Sequence, residues 1–164
     1  MVVIIGSRIA APLASIPRFP AAPRSRFASC KPMAQEIPTA EAAKEDVLIQ
    51  YVVIRKDLVE TMKWPLGSVM SQGCHAAVAA VWMHREDPDT IEYCSPEKID
   101  TMHKVTLEVK GEIQLLNLSK KLAEASIDHK LWIEQPENLP TCLATKPCWK
   151  SRVSSHFKKL KLCS

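Results

Sequence analysis

Apolar and polar positions follow two different periods along this chain, and each change of period marks an element. Residues 47–55 form an almost unbroken apolar run, Val47-Leu48-Ile49-Gln50-Tyr51-Val52-Val53-Ile54, ending at Arg55. A run so rich in β-branched residues predicts a strand buried on both faces. Residues 67–84 predict a helix, with Ser68, Ser71, Gln72 and His75 at i, i+3, i+4 and i+7 as one polar stripe over its first turns. Small apolar residues follow. Residues 103–109 alternate, Val105, Leu107 and Val109 on one side and Lys104, Thr106 and Glu108 on the other, which predicts a second strand. After Gly111, Ile113, Leu115, Leu116, Leu118 and Leu122 give a broad apolar face to a helix over 112–125. Strands at 129–134 and 141–145 flank a Pro-bounded turn, Gln135–Pro140. Trp149, Val153, Phe157 and Leu160 at helical spacing predict a last helix over 149–160. The polar connection 85–101 has room for a short helical piece.

The order βαβαββα, with helices between the first three strands, predicts an α/β fold: a three-layer α/β/α sandwich around a mixed four-stranded sheet. The tight 135–140 turn makes the last strand antiparallel to its neighbour. The strand-end loop feeding the first long helix is where open α/β sheets gather ligands, and helix N-termini attract anions.

Charge changes the picture at the N-terminus. The formal net charge is +4, yet residues 1–35 carry five of the 22 basic residues and none of the 18 acids, so the remainder is one charge negative. A near-neutral domain binds polyanions through a local patch or not at all. An acid-free segment rich in Arg, Ala, Ser and Pro over 1–35 reads as a chloroplast or mitochondrial transit peptide, the alternatives being a disordered tail without an address or a cytoplasmic form started at Met33. Residues 36–46 read as a polar linker and 47–164 as the folded domain. The apolar start, Val2–Ile5, is too short to span a membrane.

Six cysteines include no CxxC pair, so they read as reduced thiols and not as a zinc site; no metal or other cofactor is expected. Cys74 beside His75 suggests a nucleophile and its base, but adjacent helical residues point about 100° apart, which excludes proton sharing. Cys74 is expected to be buried filler. No GxSxG elbow is present, so attack by water suits the chain better than an acyl-enzyme.

Arg55, Asp57 and Leu58 after the first strand, Gly67 in the loop, and Gln72, His75 and Ala76 on the helix together resemble the type II peptidyl-tRNA hydrolases. The resemblance covers roughly residues 47–162. Trp132-Ile133-Glu134-Gln135-Pro136-Glu137-Asn138, followed by Thr141-Cys142, resembles a divergent branch of that family. The resemblance implies hydrolysis of the ester between peptide and tRNA, with Gln72 as carbonyl or water donor, His75 as base or loop anchor, Asp57 as an orienting carboxylate and Thr141 as a hydroxyl near the attacking water. Each has a plainer reading: a solvated Gln, a packing His, a turn Asp, a strand Thr. Two positions depart from the family pattern. Ser68 stands where lysine is usual, and Gln135 stands where an acid is usual, with Glu134 and Glu137 beside it. Lys56 and Lys63 are left to supply the missing cation, with Ser68, Lys150 and Arg152 as further substrate contacts.

Six cations and no acid from Lys146 onward offer a surface for tRNA phosphates. Trp64 suits stacking on an unpaired base or packing on the sheet end. The partner implied is tRNA, with no membrane; a homodimer is compatible with the sequence. The alternative from another class is a catalytically weak or inactive RNA- or protein-binding module on the same scaffold, favoured by Ser68, Gln135 and the neutral domain.

Overall fold

The computed structural model describes residues 46–163, and the expectations for the transit peptide, Met33 and nearly all of the linker lie outside them. The chain runs β1 (Leu48–Arg55), α1 (Asp57–Glu60), α2 (Leu66–Met83), α3 (Pro88–Tyr93), a 3-10 turn (Ile99–Thr101), β2 (His103–Val109), α4 (Glu112–Glu124), β3 (His129–Glu134), β4 (Leu139–Thr145), β5 (Cys148–Trp149), α5 (Lys150–Phe157) and β6 (Lys161–Leu162). Among these residues no helix is long and apolar enough to cross a membrane.

The strands form one open mixed sheet in the order β3-β4-β1-β2-β6, with β5 also on β1. β1 and β2 are parallel, Arg55 lying opposite Val109, whereas β4 runs antiparallel to both β1 and β3. The sheet thus has six strands, not the four expected. β5 and β6 are two residues each, too short for any alternation to announce them. The last helix is likewise shorter than its apolar spacing suggests, because Trp149 is extended and pairs with Leu48. β4 starts two residues early, at Leu139-Pro140. A register shift between Trp132 and Ile133 on β3 accommodates the proline, and Pro140 lies beyond the residues β4 pairs with β1, so its missing N–H costs no bond there.

β1 is buried along its whole length, as its composition predicts. Ile49, Tyr51 and Val53 pack with Leu115, Leu118 and Leu122 of α4 and Val153 and Phe157 of α5. Val52 and Ile54 pack with Val69, Ala76, Ala77 and Ala80 of α2. Small residues let α2 approach closely: a Cβ on Gly73 would meet Ile54 Cδ1 at 3.4 Å. Gln50, polar within β1, donates its amide N–H groups to the carbonyls of Ala77 and Thr145 at 3.1 and 3.0 Å, while its Oε1 has no partner among the described residues. The result sets the first turns of α2 beside the β1–β4 end of the sheet. Leu143, wholly buried at the centre of β4, tests this core: Leu143→Ala is expected to lower unfolding free energy by about 2–5 kcal/mol in denaturant titration, with unchanged slope.

Candidate functional site

The polar stripe on α2 does not act as one unit. Gln72 is only 2% exposed and Thr141, at the head of β4, is fully buried. The Thr141 hydroxyl donates to Gln72 Oε1 at 2.7 Å, joining positions 69 residues apart. That bond turns the Gln72 amide nitrogen the other way. The nitrogen has no described partner, is not sealed from solvent, and sits in the wall of a crevice of about 300 Å³. Trp64, Ser68, Glu134, Gln135 and Glu137 line the same crevice. Thr141 therefore lies behind Gln72 and does not reach the crevice itself.

His75 takes another path. It is exposed, and its ring stacks on Trp132 with centroids 4.8 Å apart and planes at 17°. The Trp132 indole N–H donates to Glu134 Oε2 at 2.8 Å. The imidazole thus braces a tryptophan that holds one oxygen of a crevice carboxylate, leaving the other oxygen available. Sequence reasoning noted Glu134 only as an acid beside Gln135; its link to His75 through Trp132 depends on a cross-element stack that no spacing announces. Trp64 is half-buried, packing against the α2-side core while lining the crevice. Both readings of its role meet there.

Asp57 is not in the crevice. Its two carboxylate oxygens accept from Arg55 Nε and Nη2 at 3.0 and 2.8 Å, and Arg55 Nη1 reaches Glu112 Oε2 at 2.9 Å and the Pro140 carbonyl at 2.7 Å. Arg55 is buried, and its hydrogen bond to Asp57 pushes its pKa above the ordinary guanidinium value. Gly111 makes room: a Cβ there would stand 3.0 Å from Asp57 Oδ2. The clamp joins the end of β1, the start of α4 and the residue preceding Thr141, so it positions the Thr141–Gln72 pair from behind.

The expected substrate cations fall in different places. Lys63 is exposed and donates to the Glu60 carbonyl at 2.7 Å, while Lys56 bridges Glu60 and Glu108 at 3.1 and 3.7 Å. Lys150 follows β5, which pairs with Leu48 and Ile49 at the far end of β1 from Thr141, and Arg152 is tied there to Asp89 at 3.0 Å. Of the nominated residues, only Ser68, Gln72 and Trp64 line the crevice. Among the described residues no group of His, Cys, Asp and Glu gathers in a metal-holding arrangement.

Cys74 is exposed, which corrects the expectation of buried filler: the packed side of α2 is Val69, Gln72, Gly73, Ala76, Ala77 and Ala80, and residue 74 points away from it. Burial instead pushes the Cys142 thiol up to about 12 and Cys148 to about 11. Alkylation at pH 8 followed by peptide mapping is expected to modify Cys74 well before either. Equal labelling of Cys142 would contradict the packing around Thr141. For the clamp, Arg55→Met is expected to cost about 3 kcal/mol, near the low end for breaking a buried pair because Asp57 keeps some solvent contact, and Arg55→Lys to recover little because it cannot fork. A variant as stable as the parent in urea would refute the clamp.

Comparison with known proteins places the chain in a lineage. The family model described as peptidyl-tRNA hydrolase PTH2 matches residues 48–163. A human protein named "Putative peptidyl-tRNA hydrolase PTRHD1" is 44% identical over 124 residues, covering 75% of this chain and 87% of the relative. The mouse protein of the same name is 44% identical over 117 residues, 71% of this chain and 82% of the relative. These agree with the resemblance carried by Arg55, Asp57, Gln72, His75 and the Trp132–Asn138 segment. The chain belongs to the peptidyl-tRNA hydrolase PTH2 family.

Proposed function

We propose that this protein hydrolyses the ester joining a peptide to tRNA, by direct attack of water in the crevice between the start of α2 and the end of β3. The observation that carries the reading is the Thr141–Gln72 hydrogen bond. It occupies the amide oxygen and so presents the amide N–H groups to the crevice, where a donor can meet the carbonyl oxygen as it becomes an oxyanion. Glu134 is the group that takes a proton. Its Oε2 is held by Trp132, and its carboxylate faces the same space as Gln72.

In this scheme the water oxygen bonds to the carbonyl carbon as its proton passes to Glu134. The tetrahedral intermediate then collapses, the ester C–O bond breaks, and Glu134 returns the proton to the ribose oxygen. The products are a peptide carboxylic acid, which gives up water's second proton to solvent, and tRNA with a free terminal hydroxyl. Gln72 and Glu134 are the catalytic residues, Thr141 and His75 positioning residues, and Asp57 acts through Arg55. Two cores on alternate residues of β1 support the three-layer arrangement as the scaffold. An organellar address in residues 1–35 belongs to the same proposal, supported by the absence of acids there.

The test is release of blocked amino acid from an N-blocked aminoacyl-tRNA by the full chain. Gln72→Ala is expected to lower kcat about 100-fold or more, the usual cost of one oxyanion donor. Glu134→Gln is expected to lower it by about 10²–10⁴. Thr141→Ala should lose activity that Thr141→Ser restores, since serine keeps the hydroxyl that orients the amide. Parent protein that releases nothing above the buffer rate overturns the hydrolase reading and leaves the binding module.

A further inference from the structure

A second cavity, of about 430 Å³, lies at the same end of the sheet and is lined by Lys56, Lys110, Lys159 and Lys161 together with Glu60 and Glu108. Sequence separates these lysines by up to 105 positions, from Lys56 to Lys161. The fold gathers them because β2 ends at Val109, which puts Lys110 at its tip, and because β6 pairs Lys161 opposite Glu108. The two carboxylates are both taken by one cation: Lys56 bridges Glu60 and Glu108, and the bridge to Glu60 holds its pKa above the usual ammonium value. Among the described residues, Lys110, Lys159 and Lys161 have no carboxylate within salt-bridge distance. Three lysines without a salt-bridge partner therefore face one concavity whose charge, four lysines against two carboxylates, is +2.

Position relative to the crevice gives this cluster its meaning. Val109 lies opposite Arg55, and Arg55 follows Ile54, the partner of Cys142, so β2's tip and the head of β4 share one edge of the sheet. From β4 to β2 and β6 is two to three strand spacings, on the order of 10–15 Å, which a few nucleotides of backbone can span. Lys150 and Arg152 are a full strand length away at the opposite end, and Arg152 is already paired with Asp89. The crevice itself carries Glu134 and Glu137 and offers no cation to a phosphate.

We propose that Lys110, Lys159 and Lys161 form the docking site for the RNA sugar–phosphate backbone, holding the acceptor stem while its 3′ end enters the crevice. The proposal rests on the hydrolase reading for its orientation, but the contact it predicts is with phosphate and is measurable without turnover. The site reads charge and not sequence, since lysine is a point charge without a fork for base edges.

The experiment measures binding of a labelled acceptor-stem hairpin with a single-stranded 3′ end to the full chain across a salt series. The triple variant Lys110→Ala/Lys159→Ala/Lys161→Ala is expected to weaken binding at least tenfold at 0.1 M salt and to reduce the slope of log K against log salt by about 2–3. Replacing the same three by arginine should preserve both, which controls for folding, and Lys150→Ala should leave both unchanged. In turnover assays the triple alanine variant should raise KM with kcat nearly constant. An unaltered affinity and slope in the triple variant, or an equal loss in Lys150→Ala, overturns the docking site. A lost slope with no ester cleavage by the parent would uphold the site while sinking the hydrolase; cleavage with an unaltered slope would do the reverse.

Discussion

A buried guanidinium organises the end of the sheet where β1 meets the head of β4. Arg55 leaves the last position of β1, and every one of its N–H groups has somewhere to go: two on Asp57, one on Glu112, one on the Pro140 carbonyl, and a weak contact to Met62 sulfur at 4.0 Å. A charge removed from water is tolerated only when its pairing is this complete. Because those partners come from α1, α4 and the head of β4, satisfying one side chain fixes three segments at once.

The crevice inherits its order from that clamp. Pro140 is pinned by its carbonyl, Thr141 follows it, and the threonine hydroxyl fixes the Gln72 amide. An amide side chain has a donor end and an acceptor end, so choosing which faces the crevice is a chemical decision. On the opposite wall the chain His75–Trp132–Glu134 does the same for a carboxylate, through a ring stack and one indole hydrogen bond. Both walls follow one design, in which a group facing solvent is oriented by a partner behind or beside it. Side chains so held have less freedom left to lose on binding any ligand.

Much of the frame was legible in the chain. β1, β2, β3, α2 and α4 lie within a residue or so of the periods that predicted them, because β-branched runs and i, i+3, i+4 spacing act through near neighbours. Gln72 and Thr141 were legible as polar residues at the correct ends of their elements. The failures have common causes. β5 and β6 are pairings of two residues, too few to show a period. Cys74 was misplaced because an apolar neighbourhood in sequence says little about which side of a helix faces the sheet. His75 and Trp132 are brought together by α2 lying against β3, a packing relation between residues distant in sequence.

By itself the sequence determined the local elements, the acid-free N-terminal segment, the near-neutral charge of the rest, and the family to which the motif belongs. Tertiary structure alone decided that Thr141 stands behind Gln72, that Asp57 serves Arg55 instead of the crevice, that Glu134 is held by Trp132, and that Lys110 meets Lys159 and Lys161. The reason is physical. Propensity and periodicity depend on a few adjacent residues, whereas a hydrogen bond between positions 69 or 85 residues apart depends on how the whole sheet is ordered and which side of it each helix covers.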